Sequence, residues 1–282
     1  MDNPLISVVI PTYNRPAFIE RACNTVLNQT YKNVEIIIVD DASEVSYESA
    51  LEKIANIDFK YVKHTRNGGG SAARNTGIAN ASGDFIAFLD DDDEWFPKKL
   101  ERQLSSLNDN CKASHCGYIT KTKKITRIEQ YHEITLKELS ENNKLASTSG
   151  LLCDKEILAK APFDASLHRA QDWDIYLRIA QLTNFSYVRE ALYIYDDGDH
   201  ERMTNKYSKL TIEQYRLRLD MLKKHRDVLT TQAYIRHIAE LILPSLKTRK
   251  DKLSILKLSI DEIGFVNTAS ELIRLGLNIK SK

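Results

Sequence analysis

The sequence predicts an α/β fold: a mostly parallel sheet flanked by helices, followed by a helical extension. Three observations predict it. Continuous β-branched runs, rather than alternating ones, mark strands buried on both faces. Those runs alternate with segments of helical period, the pattern of βα units. Polar clusters stand where the runs stop, at residues 12–15, 40–43 and 90–93, and ligands of such sheets lie beyond the carboxyl ends of the strands.

The first run, LISVVIP, ends in a turn signal and reads as a buried strand. Residues 17–28 set Phe18, Ala22 and Val26 on one helical face. VEIIIVD is the second strand, stopped by Asp40, Asp41, Ala42 and Ser43. Residues 46–57 read as helix and FKYVKH as a third strand. Gly68, Gly69 and Gly70 then open a short helix over 71–81. FIAFLD is a fourth strand, broken by four acids, and residues 97–107 form another helix. From about 110 to about 200, strand-like pieces (SHCGYIT, SGLLC, FSYV, ALYIY) surround a helix over 171–182. From about 207 the chain turns helical and basic, and Pro244 separates two helical segments.

Composition narrows the function. With 40 Lys+Arg against 39 Asp+Glu, the net charge of +1 speaks against a nucleic-acid binder, which needs a basic excess. Apolar residues at 42% are ordinary for a globular chain, and no apolar run approaches the ~18–20 residues of a membrane span. The opening MDNPLISVVIP lacks a basic n-region, so no secretory signal is expected and the expected location is cytoplasmic. Cys23, Cys111, Cys116 and Cys153 lack zinc-site spacing and read as reduced, buried thiols. The +1 is unevenly spread. Residues 203–282 carry 16 Lys+Arg against 8 Asp+Glu, and residues 1–202 carry 24 against 31.

The acids at Asp90, Asp91, Asp92 and Asp93 repel one another and call for a compensating cation. Hard Mg²⁺ or Mn²⁺ prefers carboxylate oxygen and takes waters and substrate phosphates as further ligands. The alternative is a solvated acidic loop. The triple glycine permits close backbone approach before a helix N-terminus, yet lacks the Gly-Lys-Ser/Thr ending of a P-loop. Asp172 and Asp174 open a helix. A carboxylate there either stabilises the positive helix end or serves as a general base, and the residues alone leave both open.

Taken in order, these pieces resemble family 2 glycosyltransferases, the inverting group with the GT-A fold. The resemblance spans about residues 5–200: VVIPTYNR at 8–15, IVDDAS at 38–43, GSAARN at 70–75, GDFI at 83–86, the Asp run through Trp95 and Pro97, STSG at 147–150, and the start of the 171–178 helix. The overall pattern is similar to bacterial enzymes that build O-antigen, capsule or colanic-type polysaccharide. It implies a Rossmann-like nucleotide-sugar-binding sheet. By resemblance, residues 1–205 are the catalytic domain, with a nucleotide-binding half (1–110) and an acceptor-binding half (111–205), and residues 206–282 are a basic helical extension.

The resemblance also implies roles. Pro11, Thr12, Tyr13 and Arg15 line the nucleotide-sugar site, Asp41 meets the uracil edge, and Asp40 holds its turn. Arg74 approaches the diphosphate, Asp91 faces ribose or sugar, and Asp90 supports them. Asp92 is the metal ligand, for Mn²⁺ or Mg²⁺. Asp172 is the catalytic base, and Trp173 walls the acceptor pocket. Where the family commonly has Glu before that base, this chain has Gln171, which removes a negative charge but leaves Asp172 in place. His200 and Arg202 fall in a segment that in the family forms a lid near the diphosphate, as a metal or phosphate ligand and a phosphate clamp; a lone surface His is the alternative. The implied partners are a UDP-sugar donor and a glycan or polyprenyl-diphosphate-linked acceptor. The basic tail either packs its Leu/Ile face on the core or rests on anionic lipid at the inner face of the plasma membrane. Two other functions remain open: a nucleotide-sugar-binding scaffold without turnover, and a nucleotidyltransferase.

Overall fold

The computed structural model describes residues 3–167, 169–198, 210–249 and 251–277. The chain forms two compact units. The first begins with β1 (Ile6–Thr12), α1 (Pro16–Leu27), β2 (Val34–Asp40), α2 (Glu48–Glu52), β3 (Phe59–Lys63), α3 (Gly69–Asn80) and β4 (Phe85–Phe88). It continues with β5 (Glu94–Trp95), α4 (Lys99–Ser106), β6 (Ala113–Thr120), β7 (Thr126–Arg127), β8 (Glu133–Ile134) and α5 (Leu136–Glu141). A 3-10 turn (Thr148–Gly150), β9 (Leu152–Asp154), α6 (Lys155–Lys160), α7 (Gln171–Ala180) and β10 (Phe185–Tyr195) complete it.

The sheet order is β3-β2-β1-β4-β9-β6-β10-β5. The β3-β2-β1-β4 half is parallel throughout. β9 enters antiparallel to both β4 and β6, and β6 runs parallel to β10. The sheet is therefore mixed, its parallel half matching the continuous apolar runs. β1 shows why those runs do not alternate. Val8 and Ile10 join the core with Ile19, Ala22, Cys23 and Val26 of α1. Val9 meets α3 on the other face, where a Cβ on Gly77 would lie 2.2 Å from Val9 Cγ1. Both faces are covered, so both need apolar residues.

Several elements differ from expectation. Between about 110 and 200 the chain adds the short helices α5 and α6, and Ser149 and Gly150 lie in the 3-10 turn rather than in a strand. The helix over 46–57 shortens to Glu48–Glu52. Beyond it, Ile54, Ala55 and Ile57 donate to carbonyls three residues back, so the segment tightens into turns. FSYV and ALYIY are one strand, β10, whose register shifts at Val188/Ala191 and Ala191/Tyr193. The bulge absorbs the exposed, charged Arg189 and Glu190. All four cysteines are buried free thiols. Burial pushes Cys23 up to about 12 and Cys116 to about 11, which makes both poor nucleophiles.

The second unit contains α8 (Ile212–Lys224), α9 (Thr231–Ile242), α10 (Lys252–Ile263) and α11 (Phe265–Arg274). Thr211 and Gln214 make a capping box for α8, and Thr230 and Asp251 cap α9 and α10. Pro244 lies in the 3-10 turn Leu243–Lys247 between α9 and α10. The buried faces of α10 and α11 meet through Ser259 and Thr268, while Leu253, Phe265, Val266 and Ile273 are exposed. No helix among the described residues is long and apolar enough to cross a membrane. The expected boundary at 205/206 lies outside the described residues.

Candidate active site

The carboxyl ends of β1, β2, β3 and β4 lie side by side in the sheet, and each delivers polar residues to the same edge. At the end of β2, Asp40 accepts from the Ser43 N–H at 2.8 Å and the Tyr61 hydroxyl at 2.7 Å. Burial opposes the Asp40 charge, but these donors and Lys63 hold its carboxyl below the usual range. The turn it holds includes Ala42 in the left-handed region, at φ 61°, a strained setting for a residue with a Cβ.

Asp41 is bound by its own chain. The Gly68 and Gly69 N–H groups donate to its two oxygens at 2.9 and 2.6 Å. His64 Nδ1 lies 2.7 Å from Asp41 Oδ1, and His64 Nε2 lies 2.8 Å from Thr76 Oγ1. The glycine loop therefore spends two N–H groups on Asp41. Gly69 needs its φ of +82°, whereas Gly70 supplies room: a Cβ there would lie 2.9 Å from Arg74 Nη1. Sequence reasoning missed His64. Its place just past β3 was the available signal, since the ends of the neighbouring parallel strands β1, β2 and β4 carry site residues.

β1 ends at Thr12, which donates to Asp91 Oδ2 at 2.6 Å and lies 2.8 Å from the Tyr47 hydroxyl. Pro11 is buried in the strand, and Tyr13 just beyond it is exposed. Arg15 reaches Asp91 Oδ1 at 2.5 Å and Asp92 Oδ2 at 3.0 Å. Burial works against the Arg15 charge, but Asp91, Asp92 and Asp90 outweigh it and raise its affinity for the proton.

The four acids have four different surroundings. Asp90 pairs with Arg74 Nη2 at 2.5 Å and accepts from Ser147 Oγ at 3.2 Å. Against burial, Arg74 and then Arg15 hold its carboxyl below the usual range. Asp91 is buried, and that burial, reinforced by Asp92 and Asp90 against the pull of Arg15, raises it to about 7. Asp92 bonds Arg15, and its backbone carbonyl accepts from Arg21 Nη2 at 2.7 Å. Asp93 points into the fold, where it accepts from the Asp196 N–H at 2.9 Å and Ser147 Oγ at 3.3 Å. Burial, with Asp90 and Asp92 close by, holds Asp93 well above the usual range.

Across the sheet, the 3-10 turn fastens the acid strap. The Asp90 N–H donates to Ser149 Oγ at 3.0 Å, and Trp95 Nε1 donates to Ser149 O at 2.9 Å. Beneath Trp95 stands the fully buried Lys99, 4.0 Å from the ring centroid, with Nζ donating to Gln103 Oε1 at 2.6 Å. Gln103 Nε2 reaches the Ser114 and Gly150 carbonyls at 3.1 and 2.8 Å. A Cβ on Gly150 would lie 2.2 Å from the buried His115 ring, so the turn needs glycine for closeness.

The two candidate bases separate clearly. Asp174 is buried in an ion pair with Arg178, at 2.7 and 3.0 Å. Asp172 accepts from Asn143 Nδ2 at 3.3 Å. Burial raises its carboxyl above the usual range against the N–H groups, Arg74 and Asn143 that favour the charge. Arg74, hydrogen-bonded to Asp90, thus also acts electrostatically on Asp172. Trp173 is buried and donates its indole N–H to Leu139 O at 2.9 Å. Gln171 Oε1 lies 3.9 Å from the point where a Gly70 Cβ would sit. His200 and Arg202 lie outside the described residues.

Among the described residues, no group of three His, Cys, Asp or Glu side chains could hold a metal by itself. The donor set nevertheless fits a hard divalent ion. Asp92 keeps a small exposed surface, and among the described residues buried Asp91 Oδ1 has no hydrogen-bond donor, only the charge of Arg15. A site this sparse in protein ligands suits an ion completed by waters and substrate phosphates.

A sheet whose strand ends gather acids, two arginines and a partly buried carboxylate is built for polar group transfer. The model of glycosyl transferase family 2 matches residues 7–171, and the chain belongs to that family and is a glycosyltransferase. The chain is 31% identical over 194 residues to UDP-Glc:alpha-D-GlcNAc-diphosphoundecaprenol beta-1,3-glucosyltransferase WfgD of Escherichia coli, covering 67% of this chain and 74% of that one. It is 30% identical over 247 residues to the amylovoran biosynthesis glycosyltransferase AmsB of Erwinia amylovora, covering 81% and 82%. In structure it is similar to the mannosyltransferase PcManGT from Pyrobaculum calidifontis in complex with GDP-Man and Mn²⁺. That match has a TM-score of 0.63 at 17% identity, covering 99% of this chain and 77% of that one, and it shows the GT-A fold.

Proposed function

We propose that this glycosyltransferase moves a sugar from a UDP-sugar to a hydroxyl of a glycan or polyprenyl-diphosphate-linked acceptor, with inversion, in bacterial surface polysaccharide assembly. One observation carries the mechanistic part: Arg74 binds Asp90 of the acid strap while its charge also acts on Asp172. That links a donor-side group to a candidate base.

In this reading, Tyr13, Pro11 and Asp41 hold the nucleotide, with Asp40 fixing the turn, and Thr12, Arg15 and Asp91 hold the ribose or sugar. Asp92 would hold Mn²⁺ or Mg²⁺, which when bound neutralises charge developing on the leaving diphosphate. Asp172 takes the proton of the acceptor hydroxyl. The hydroxyl oxygen bonds the anomeric carbon as the bond to the diphosphate breaks on the opposite face. UDP leaves and the configuration inverts in one displacement, with no covalent enzyme intermediate. Trp173 backs the acceptor side from within, and His200 and Arg202 are proposed to meet the diphosphate.

The names of the two curated relatives support the donor, lipid-linked acceptor and polysaccharide setting. The proposed domains are residues 1–205 for catalysis and 206–282 as the extension. Exposed Leu253, Phe265, Val266 and Ile273 support a peripheral contact of that extension with anionic membrane.

The test is a transfer assay with UDP-, GDP- and dTDP-sugars, Mn²⁺ or Mg²⁺, and lipid-diphosphate-linked glycan acceptors. The expected result is metal-dependent release of UDP with a product of inverted anomeric configuration. Retained configuration, or transfer only from GDP- or dTDP-sugars, refutes the corresponding part.

A further inference from the structure

Arg74 and Asn75 are neighbours on α3 that converge on one distant residue. The Arg74 guanidinium carbon lies 5.5 Å from the centroid of the Phe163 ring, while Nη2 donates to Asp90. Asn75 Nδ2 donates to Phe163 O at 2.7 Å, and the Phe163 N–H donates to Asn75 Oδ1 at 2.8 Å. A side-chain amide offers one acceptor beside its donors, so it matches both halves of one residue's backbone. The Phe163 ring stands edge-on to Phe88, centroids 5.2 Å apart and planes at 78°. Phe88 ends β4, two residues before Asp90. Phe163 is thus fixed at its backbone by α3 and at its ring by β4. Among the described residues, the buried Arg74 Nε has no hydrogen-bond partner.

We propose that Asn75 and Phe163 are positioning residues. They hold the Arg74 guanidinium in the orientation that gives Nη2 to Asp90 and leaves the rest of the fork to a phosphate oxygen of the donor. This rests on the reading of Arg74 as a diphosphate contact. An arginine binds an oxyanion best when its planar fork is fixed beforehand. A ring face below the plane and a carboxylate at one corner fix it; either alone leaves rotation. Gly70 makes the arrangement possible by leaving space at Nη1.

The experiment measures, on the full chain with Mn²⁺, the calorimetric Kd of UDP, GDP and dTDP for the wild type, Phe163→Leu, Asn75→Ala, Arg74→Ala and the two double variants with Arg74→Ala. Phe163→Leu keeps an apolar side chain but removes the aromatic face. Each positioning variant is expected to weaken the nucleotide bound best by about tenfold, and to add nothing once Arg74 is gone. A residue that serves only the fold would weaken binding equally in both backgrounds. Additive effects, or no effect of Phe163→Leu, overturn the proposal while leaving the role of Arg74 standing. If Arg74→Ala itself binds like the wild type, or no nucleotide binds the wild type, the diphosphate reading fails and the proposal with it. Should Asn75→Ala fail to fold, the Phe163–Arg74 cycle decides.

Discussion

Lys99 offers the sharpest quantitative test, because its ammonium stands in the interior against the Trp95 ring. It has no exposed surface, and burial pulls it from 10.5 down to about 8. A displacement of that size corresponds to about 3 kcal/mol held against the native state while the lysine is charged. The sign follows from proton counting. Between the native and unfolded values the unfolded chain binds more protons, so stability rises with pH across that window. The other ionisable groups facing the lysine are Cys116 and His115, and neither changes charge between pH 8 and pH 9.5, since burial holds them at about 11 and about 3. Lys99→Met keeps the stem and removes the titration. It also loses the contact with the Trp95 ring and leaves Gln103 Oε1 without its donor, losses of about 1–3 kcal/mol each way. Near neutral pH these offset the relief of charge burial, and the variant and wild type have similar stability. Denaturant unfolding of both proteins from about pH 7.5 to about pH 9.5 is expected to show the wild type gaining about 2 kcal/mol on the variant. Parallel curves would refute the argument, showing that the ammonium is solvated or paired in a way this packing does not contain.

Other consequences follow from the same geometry. Asp172→Asn is expected to lower turnover by about 10²–10⁴-fold with an equal or higher melting temperature, since the amide carries no charge for burial to penalise. In the wild type the acidic limb of kcat should lie above the ordinary Asp value of about 3.9, turnover falling as Asp172 protonates; a limb at or below that value contradicts its burial. Arg15→Ala should bind Mn²⁺ alone more tightly, because the arginine neutralises Asp91 and Asp92, yet bind nucleotide with Mn²⁺ less tightly; calorimetry showing weaker binding of the bare ion would remove that role. Gly77→Ala and Gly70→Ala should split. The first drives a Cβ into buried Val9 and costs about 1–3 kcal/mol. The second meets only the movable end of Arg74, so melting changes little and nucleotide affinity falls.

The parallel half of the fold was legible because its signals are local. Each β-branched run and each helical period lies within one element, and the strand-end acids follow directly. The antiparallel entry of β9 between β4 and β6 leaves no such mark, since three residues of LCD pair equally well in either direction. The long β10 looked like two strands because Arg189 and Glu190 interrupt its apolar pattern. The site was readable as residue types but not as pairings. Asp93 meets Asp196, 103 positions away, and Asn75 meets Phe163, 88 positions away. Nothing periodic encodes such partners. The residues alone leave Asp172 and Asp174 alike and only the resemblance favours Asp172; what the sequence does not encode is that Arg178 pairs with Asp174.

Four consecutive acids at one strand end look like an electrostatic error until each is followed to its partner. Arg74 takes Asp90, Thr12 and Arg15 take Asp91, Arg15 also takes Asp92, and a backbone N–H with a serine takes Asp93. Successive strap residues face different ways, so repulsion that would be severe on one face is divided among separate environments. The division ranks them chemically. Asp93, deepest and well above the usual range, is the one whose charge matters least and whose hydrogen bonds matter most. Asp90 stays ionised because an arginine pays for it. Asp91 and Asp92 both meet Arg15, and burial moves Asp91 toward its neutral form, so the run ends with four carboxyls in four different charge settings.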